Sequence, residues 1–109
     1  MSVTIPPGAP YRGPNISGSM SATNQSEAFT PQAGREVYVR LSGTWTGTAK
    51  IQRSRDAGAT WADMTVAGTP WAVFTANCDE AVDDPGHGDF RYRIDFVRAS
   101  GTLDYVLGH

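Results

Sequence analysis

From Gly34 onward, apolar and polar positions alternate in short runs, and each run is broken by Gly, Pro, Asn or Asp. Alternation with a period of two is the mark of a strand with one buried face. In REVYVRLSG it sets Val37, Val39 and Leu41 against Tyr38 and Arg40. TAKIQRS continues with Ala49 and Ile51 opposed to Lys50 and Gln52, and TWADMTV follows across the connection RDAGA, so these two are predicted to form a hairpin. WAVFTA supplies a further strand. The longest run, DFRYRIDFVR, opposes Phe90, Tyr92, Ile94 and Phe96 to Arg91, Arg93 and Asp95 and is expected at the centre of a sheet. LDYVLG, with Leu103, Tyr105 and Leu107 on one side, is expected to follow it after a turn at ASGT. With SEAFT and a run near DEAV the count is about seven or eight short strands, and no segment has a helical period. The expected fold is all-β: a single antiparallel β-sandwich, jelly-roll or immunoglobulin-like.

Before this the texture differs. Residues 1–30 are rich in Pro, Gly and Ser and poor in alternation, which predicts an extended N-terminal arm ahead of a sandwich domain at 31–109. Within the arm, Pro6, Pro7, Pro10 and Tyr11 are candidate contacts to neighbouring subunits. A sandwich of roughly 75 residues buries little more than ~60% of its unfolded surface. Help from outside is expected, in the form of a homo-oligomer, for which a trimer is one option, or docking onto a larger surface.

Charge and cysteine content narrow the classes. Nine basic and eleven acidic residues give a net charge of −2 with no basic run, so nucleic acid is not expected as a partner. The N-terminal stretch lacks the apolar core of a signal peptide and no apolar run approaches the ~20 residues that span a bilayer, so no membrane partner is expected. The single cysteine, Cys78, excludes an internal disulfide and suits folding in a reducing cytosol. Two sequons, at Asn15 and Asn24, are then chance matches.

One local motif stands out. SRDAGATW has the form S-x-D-x-G-x-T-W and resembles the Asp-box of sialidases and other β-propeller proteins, although a propeller of four or more blades of ~40–50 residues cannot fit in this length. Each of its residues has a structural role. The Asp56 carboxylate accepts backbone N–H groups in the turn, Gly58 supplies a positive φ, Thr60 re-enters the strand, and Trp61 folds across the hairpin, with Ser54 opening the motif. These five are read as a hairpin scaffold. Asp-boxes are scaffold turns away from the catalytic centre, so the resemblance carries over no active-site residue.

Metal-ligand residue types cluster only in NCDEAVDDPGHGD, where Asp79, Asp83 and Asp84 would be the carboxylates offered to a divalent cation, beside Glu80, His87 and Asp89. The preferred reading is a solvated turn, bent by Pro85 and relaxed by Gly86 and Gly88, with no metal. No nucleophile sits in a recognisable elbow, a sandwich this small has little room for a sugar-cleaving cleft, and no cofactor is implied; an enzyme is not expected. Among the aromatic residues, Trp61 and Trp71 are assigned to packing. Trp45, in SGTWTGT between glycines, is the least constrained: a surface anchor for a partner or glycan, or a corner that staples two strands.

The run VYVRLSGTWTGTAKIQRSRDAGATW, followed by EAVDDPGHGDFRYRIDFVRASGTLDYVLGH, resembles small β-sandwich virion structural proteins of tailed bacteriophages and prophages. The likeness spans Val37 to Leu107, and departs in Ala57, where a second glycine is usual, and in DYVL, where YRL is usual. It implies a non-enzymatic, multi-copy virion component, assembled in the host bacterial cytoplasm. The expectation is a capsid-decorating or head-surface protein whose partners are its own copies and the major capsid protein or other virion proteins. The alternatives are a tail-tip or fibre module that binds host-surface glycan, and a tail or neck subunit.

Overall fold

The structure, a computed structural model, describes residues 15–32, 35–83 and 89–109. Two strands of 18 residues organise it. Val37–Ser54 (β3) and Arg91–Gly108 (β9) pair antiparallel from Tyr38 opposite Gly108 to Ser54 opposite Arg91. Both strands depart from regular geometry near mid-length. Gly43, Gly47 and Gly101 have φ of 91°, 139° and 77°, and a bulge lies where Thr46 faces Ser100 but Gly47 faces Arg98. The pair therefore bends midway, since a bulge kinks the ladder and glycine admits backbone angles closed to other residues.

Each half of the bent pair collects its own neighbours. Beside Val37–Leu41 runs Cys78–Asp83 (β8), and beside Leu103–Leu107 runs Ile16–Met20 (β1). In the other half, Val73–Phe74 (β7) pairs with Ala49–Lys50, Ala62–Asp63 (β4) with Gln52–Arg53, and Asn24–Gln25 (β2) with Asp95–Phe96. Thr65–Val66 (β5) and Thr69–Pro70 (β6) form a small separate hairpin. The described residues contain no helix, so the fold is all-β and antiparallel, as the alternation predicts.

The bulge also solves a phase problem. Buried positions in β9 are even in the first half, Tyr92, Ile94 and Phe96, and odd in the second, Leu103, Tyr105 and Leu107. A strand with strict period two would turn one set into solvent. Ala99, the extra residue at the bulge, shifts the phase by one and keeps both sets on the same face as Val37, Val39, Leu41, Ala49 and Ile51 of β3. Both halves feed a single apolar cluster.

Four expectations need correction. There is no turn at ASGT: β9 runs through it, because the change of phase that reads as a break is a bulge. REVYVRLSG and TAKIQRS are likewise one strand, bent at its glycines. The stretch after residue 14, assigned to the arm on composition, is built into the sheet as β1 and β2. SEAFT is not a regular strand; it contributes the fully buried Phe29, which bridges to Tyr92. Pro6, Pro7, Pro10 and Tyr11 lie outside the described residues.

Candidate functional site

The hairpin motif is bonded as its residue types require. Asp56 Oδ1 accepts the Thr60 N–H at 2.9 Å and the Ser54 hydroxyl at 2.7 Å, while Oδ2 accepts the Thr60 hydroxyl at 2.6 Å. Ser54 Oγ, fully buried, accepts in turn from the Gly58 N–H at 2.8 Å. The hydrogen bonds from Thr60 and then Ser54 hold the Asp56 carboxyl down at about 2. Gly58 has a φ of 94°, and Ala57, at 59°, takes a left-handed conformation with a side chain present. The donors that reach Asp56 belong to the loop itself.

Beyond the loop a polar row crosses the outer face of the sheet. The half-buried Trp61 carries the Arg93 guanidinium 4.5 Å from its ring centre. Arg93 Nε donates to Gln52 Oε1 at 2.8 Å, Gln52 Nε2 donates to Asp63 Oδ1 at 2.9 Å, and Lys50 Nζ pairs with Asp63 Oδ2 at 3.3 Å. Gln52, and then Lys50, hold the Asp63 carboxyl below its usual range.

This row ends at an apolar hollow of about 290 Å³, where Lys50 and Asp63 meet Met64, Pro70, Trp71 and Val73. A second hollow of about 250 Å³ lies against Trp71 too, with Phe74 and Glu80 in its wall. Pro70, Trp71 and Val73 line both hollows. Trp71 is 44% exposed yet fixed, for its backbone N–H donates to Met64 O at 2.9 Å and its indole N–H to Val82 O at 3.0 Å. An exposed, immobilised indole costs little further entropy when a partner covers it.

The two tryptophans reverse the exposure that the sequence suggests. Trp45, the candidate partner contact, is buried: it donates its indole N–H to Asn77 Oδ1 at 2.7 Å and meets Phe96 edge-on at 5.6 Å between ring centres. A ring packed at the bend has no face to offer, so of its two readings the geometry holds the corner staple. Trp71, assigned to packing, faces outward: burial alternates through exposed Trp71, buried Ala72 and exposed Val73, with Ala72 at a φ of 56°. The signal available in the sequence was Pro70, since proline cannot lie within a paired central strand.

The described carboxylates of the acidic stretch do not converge. Asp83 accepts from Arg53 Nη1 at 3.0 Å and from the Tyr92 hydroxyl, across to the other half of the sheet. Burial, followed by the bond to Asp83, pushes the Tyr92 phenol up. Asp79 stands four residues away along β8, roughly 13 Å at strand spacing, in a separate hollow with Tyr38 and Arg40. Among the described residues no three of His, Cys, Asp and Glu lie together as a metal site would require, and Asp84 and His87 fall outside them.

Compared with known proteins, the chain matches no family model, no curated protein and no solved structure. What fold and site define is a small antiparallel β protein with an exposed indole that is held by two hydrogen bonds and lines two surface hollows.

Proposed function

We propose that the protein is a structural component of a tailed-phage virion, a non-enzymatic β-sandwich that oligomerises and decorates the head surface. The halves of the bent sheet, facing one another across one core, are the two layers of the sandwich. The observation that carries the reading is Trp71: a large apolar ring presented to solvent on a rigid, hydrogen-bonded support suits a surface made to be covered. The resemblance from Val37 to Leu107 supplies the setting. To test it, particles produced by the strain that carries the gene are purified and digested for peptide mass spectrometry, and the protein is labelled with gold-conjugated antibody. Peptides of this chain in intact particles, with gold on heads, are expected; gold on tails would move the protein to a tail or neck role. Absence from purified particles would overturn the virion reading.

A second reading, a tail-tip or fibre module that recognises host-surface glycan, also draws on Trp71. An exposed indole beside the Lys50–Asp63 pair offers a stacking face next to polar groups that can bond hydroxyls. Buried Trp45 cannot serve in this role. Glycan-array binding that disappears in Trp71→Ala would favour this reading.

A further inference from the structure

The polar groups that the first hollow offers a ligand are side-chain groups. Backbone along the Trp71 segment is already bonded, with the Trp71 N–H on Met64 O at 2.9 Å and Ala72 O accepting the Ile51 N–H at 3.0 Å, so an extended peptide cannot pair with these groups. Lys50 gives Asp63 one of its three protons. The Asp63 oxygens accept from Gln52 and Lys50 and have lone pairs to spare, and the Thr65 hydroxyl stands in the same wall. The Lys50 and Asp63 side chains are 36% and 51% exposed, hence open to a ligand from solvent. Charge and polarity then select among ligand classes. An anion meets the Asp63 carboxylate and a cation meets Lys50 Nζ, while a wholly apolar ligand strips both of water and returns no hydrogen bond. A neutral ligand with an apolar face and adjacent hydroxyls avoids all three penalties, because a hydroxyl both donates and accepts.

We infer that this hollow binds one neutral pyranose residue, its apolar face against the wall that Trp71 and Val73 supply and its adjacent hydroxyls on Lys50 and Asp63. The volume of about 290 Å³ lies at the lower end of small-molecule pockets, ~300 Å³, which suits a single ring. The polar row explains how the carboxylate is held ready. Gln52 Nε2 donates to Asp63 Oδ1 at 2.9 Å, Arg93 Nε fixes Gln52 through its Oε1 at 2.8 Å, and Arg93 is seated 4.5 Å over the Trp61 ring of the hairpin motif. Gln52 and Arg93 are thus positioning residues, which act on the sugar through Asp63. The inference rests on the glycan reading above and names the class of sugar and the residues that select it.

The test is an NMR titration of the isotope-labelled full-length chain with methyl glycosides: the neutral glucoside, galactoside, mannoside and N-acetylglucosaminide, and the glucuronide, which differs from the glucoside in carrying a carboxylate. Shifts at the Trp71 indole and at the Lys50 and Thr65 amides with at least one neutral glycoside, and none with the glucuronide, are expected. Asp63→Asn should weaken the neutral sugar about tenfold and admit the glucuronide, since Lys50 then stands without its counter-charge. Gln52→Met alters no residue that lines the hollow; it should weaken the neutral sugar about threefold or more while the glucuronide is still refused. The amide spectrum of each variant reports its fold in the same experiment, and the gain of glucuronide binding is a change that unfolding cannot produce. No shift with any neutral glycoside, equal binding of the glucuronide by the wild type, or an Asp63→Asn chain that still refuses it would overturn the inference. Unchanged affinity in Gln52→Met would remove the positioning role. A glycan array on which the wild type takes acidic glycans keeps the glycan reading and overturns this inference, whereas an array with no binding at all overturns the reading itself.

Discussion

Thr60 grips Asp56 at both carboxylate oxygens, with its backbone N–H on Oδ1 and its hydroxyl on Oδ2. The geometry favours the charged form, which places the folded-state value at about 2 against an ordinary 3.8. A carboxyl depressed on folding contributes stability that is complete above about 4 and fades as pH falls toward 2. Urea midpoints of the wild type and Asp56→Asn should therefore differ at pH 7 and converge near pH 2, with the variant the less stable. Parallel curves at all pH values would mean that the loop does not depend on the charge.

Tyr92 gives the opposite dependence. Its phenol is raised above the ordinary value of about 10 by burial and by the hydrogen bond that it donates to Asp83. A raised value means that the neutral form is favoured, so its contribution is complete below about pH 10 and is lost as pH climbs beyond. Tyrosinate absorbance for this residue should appear only with unfolding. Tyr92→Phe removes the alkaline step and costs about 1.5–3 kcal/mol at neutral pH, the worth of a hydrogen bond to a charged acceptor; equal alkaline sensitivity in the variant would show that another group governs it.

The buried faces were legible because period two is a direct consequence of the pleat: the residues marked for the core in REVYVRLSG, TAKIQRS, DFRYRIDFVR and LDYVLG all belong to it, joined by Met20, Phe29, Trp45, Met64, Ala72 and Val82. What the pattern could not convey is continuity. A break in alternation at Arg98–Gly101 has two physical causes, a turn or a one-residue bulge, and they differ in a pairing partner about 50 residues away along the chain. The Asp-box roles were legible for the reverse reason, since every bond lies within seven residues of sequence. The exposure of Trp45 and Trp71 was read in reverse because glycine neighbours suggest exposure and an apolar run suggests burial, whereas Trp45 packs on Phe96 and Asn77 and it is Ala72, not Trp71, that faces the core.

Three alanines, Ala57, Ala67 and Ala72, occupy left-handed backbone at φ of 59°, 51° and 56°. Ala67-Gly68 is the two-residue loop joining Val66 to Thr69, a position where both central residues need positive φ and Asn-Gly is preferred. Ala67→Asn should stabilise the protein by about 0.5–1 kcal/mol, because asparagine tolerates the conformation without glycine's added freedom in the unfolded chain. Ala57→Gly should gain less, for that freedom offsets part of the relief. Thermal midpoints check both. A fall in Ala67→Asn would show that the turn does not keep this geometry.

Gly101 and Gly68 separate backbone strain from crowding. Their φ values are nearly equal, 77° and 80°, so alanine meets the same conformational penalty at each, about 1 kcal/mol. Their surroundings differ completely. A Cβ on Gly68 would meet nothing within 4 Å, whereas on Gly101 it would lie 2.1 Å from Thr44 O and 2.7 Å from Trp45 Cα, backbone atoms that move only if the β3–β9 pair opens at its bend. Gly68→Ala should therefore cost about 1 kcal/mol, and Gly101→Ala that amount plus about 2 kcal/mol or more for the clash. The excess measures how closely the two long strands must approach for the sheet to fold over its own core. If chemical denaturation gave equal losses, the pair would not close at Gly101 and the shared face of the two halves would have to be held together elsewhere.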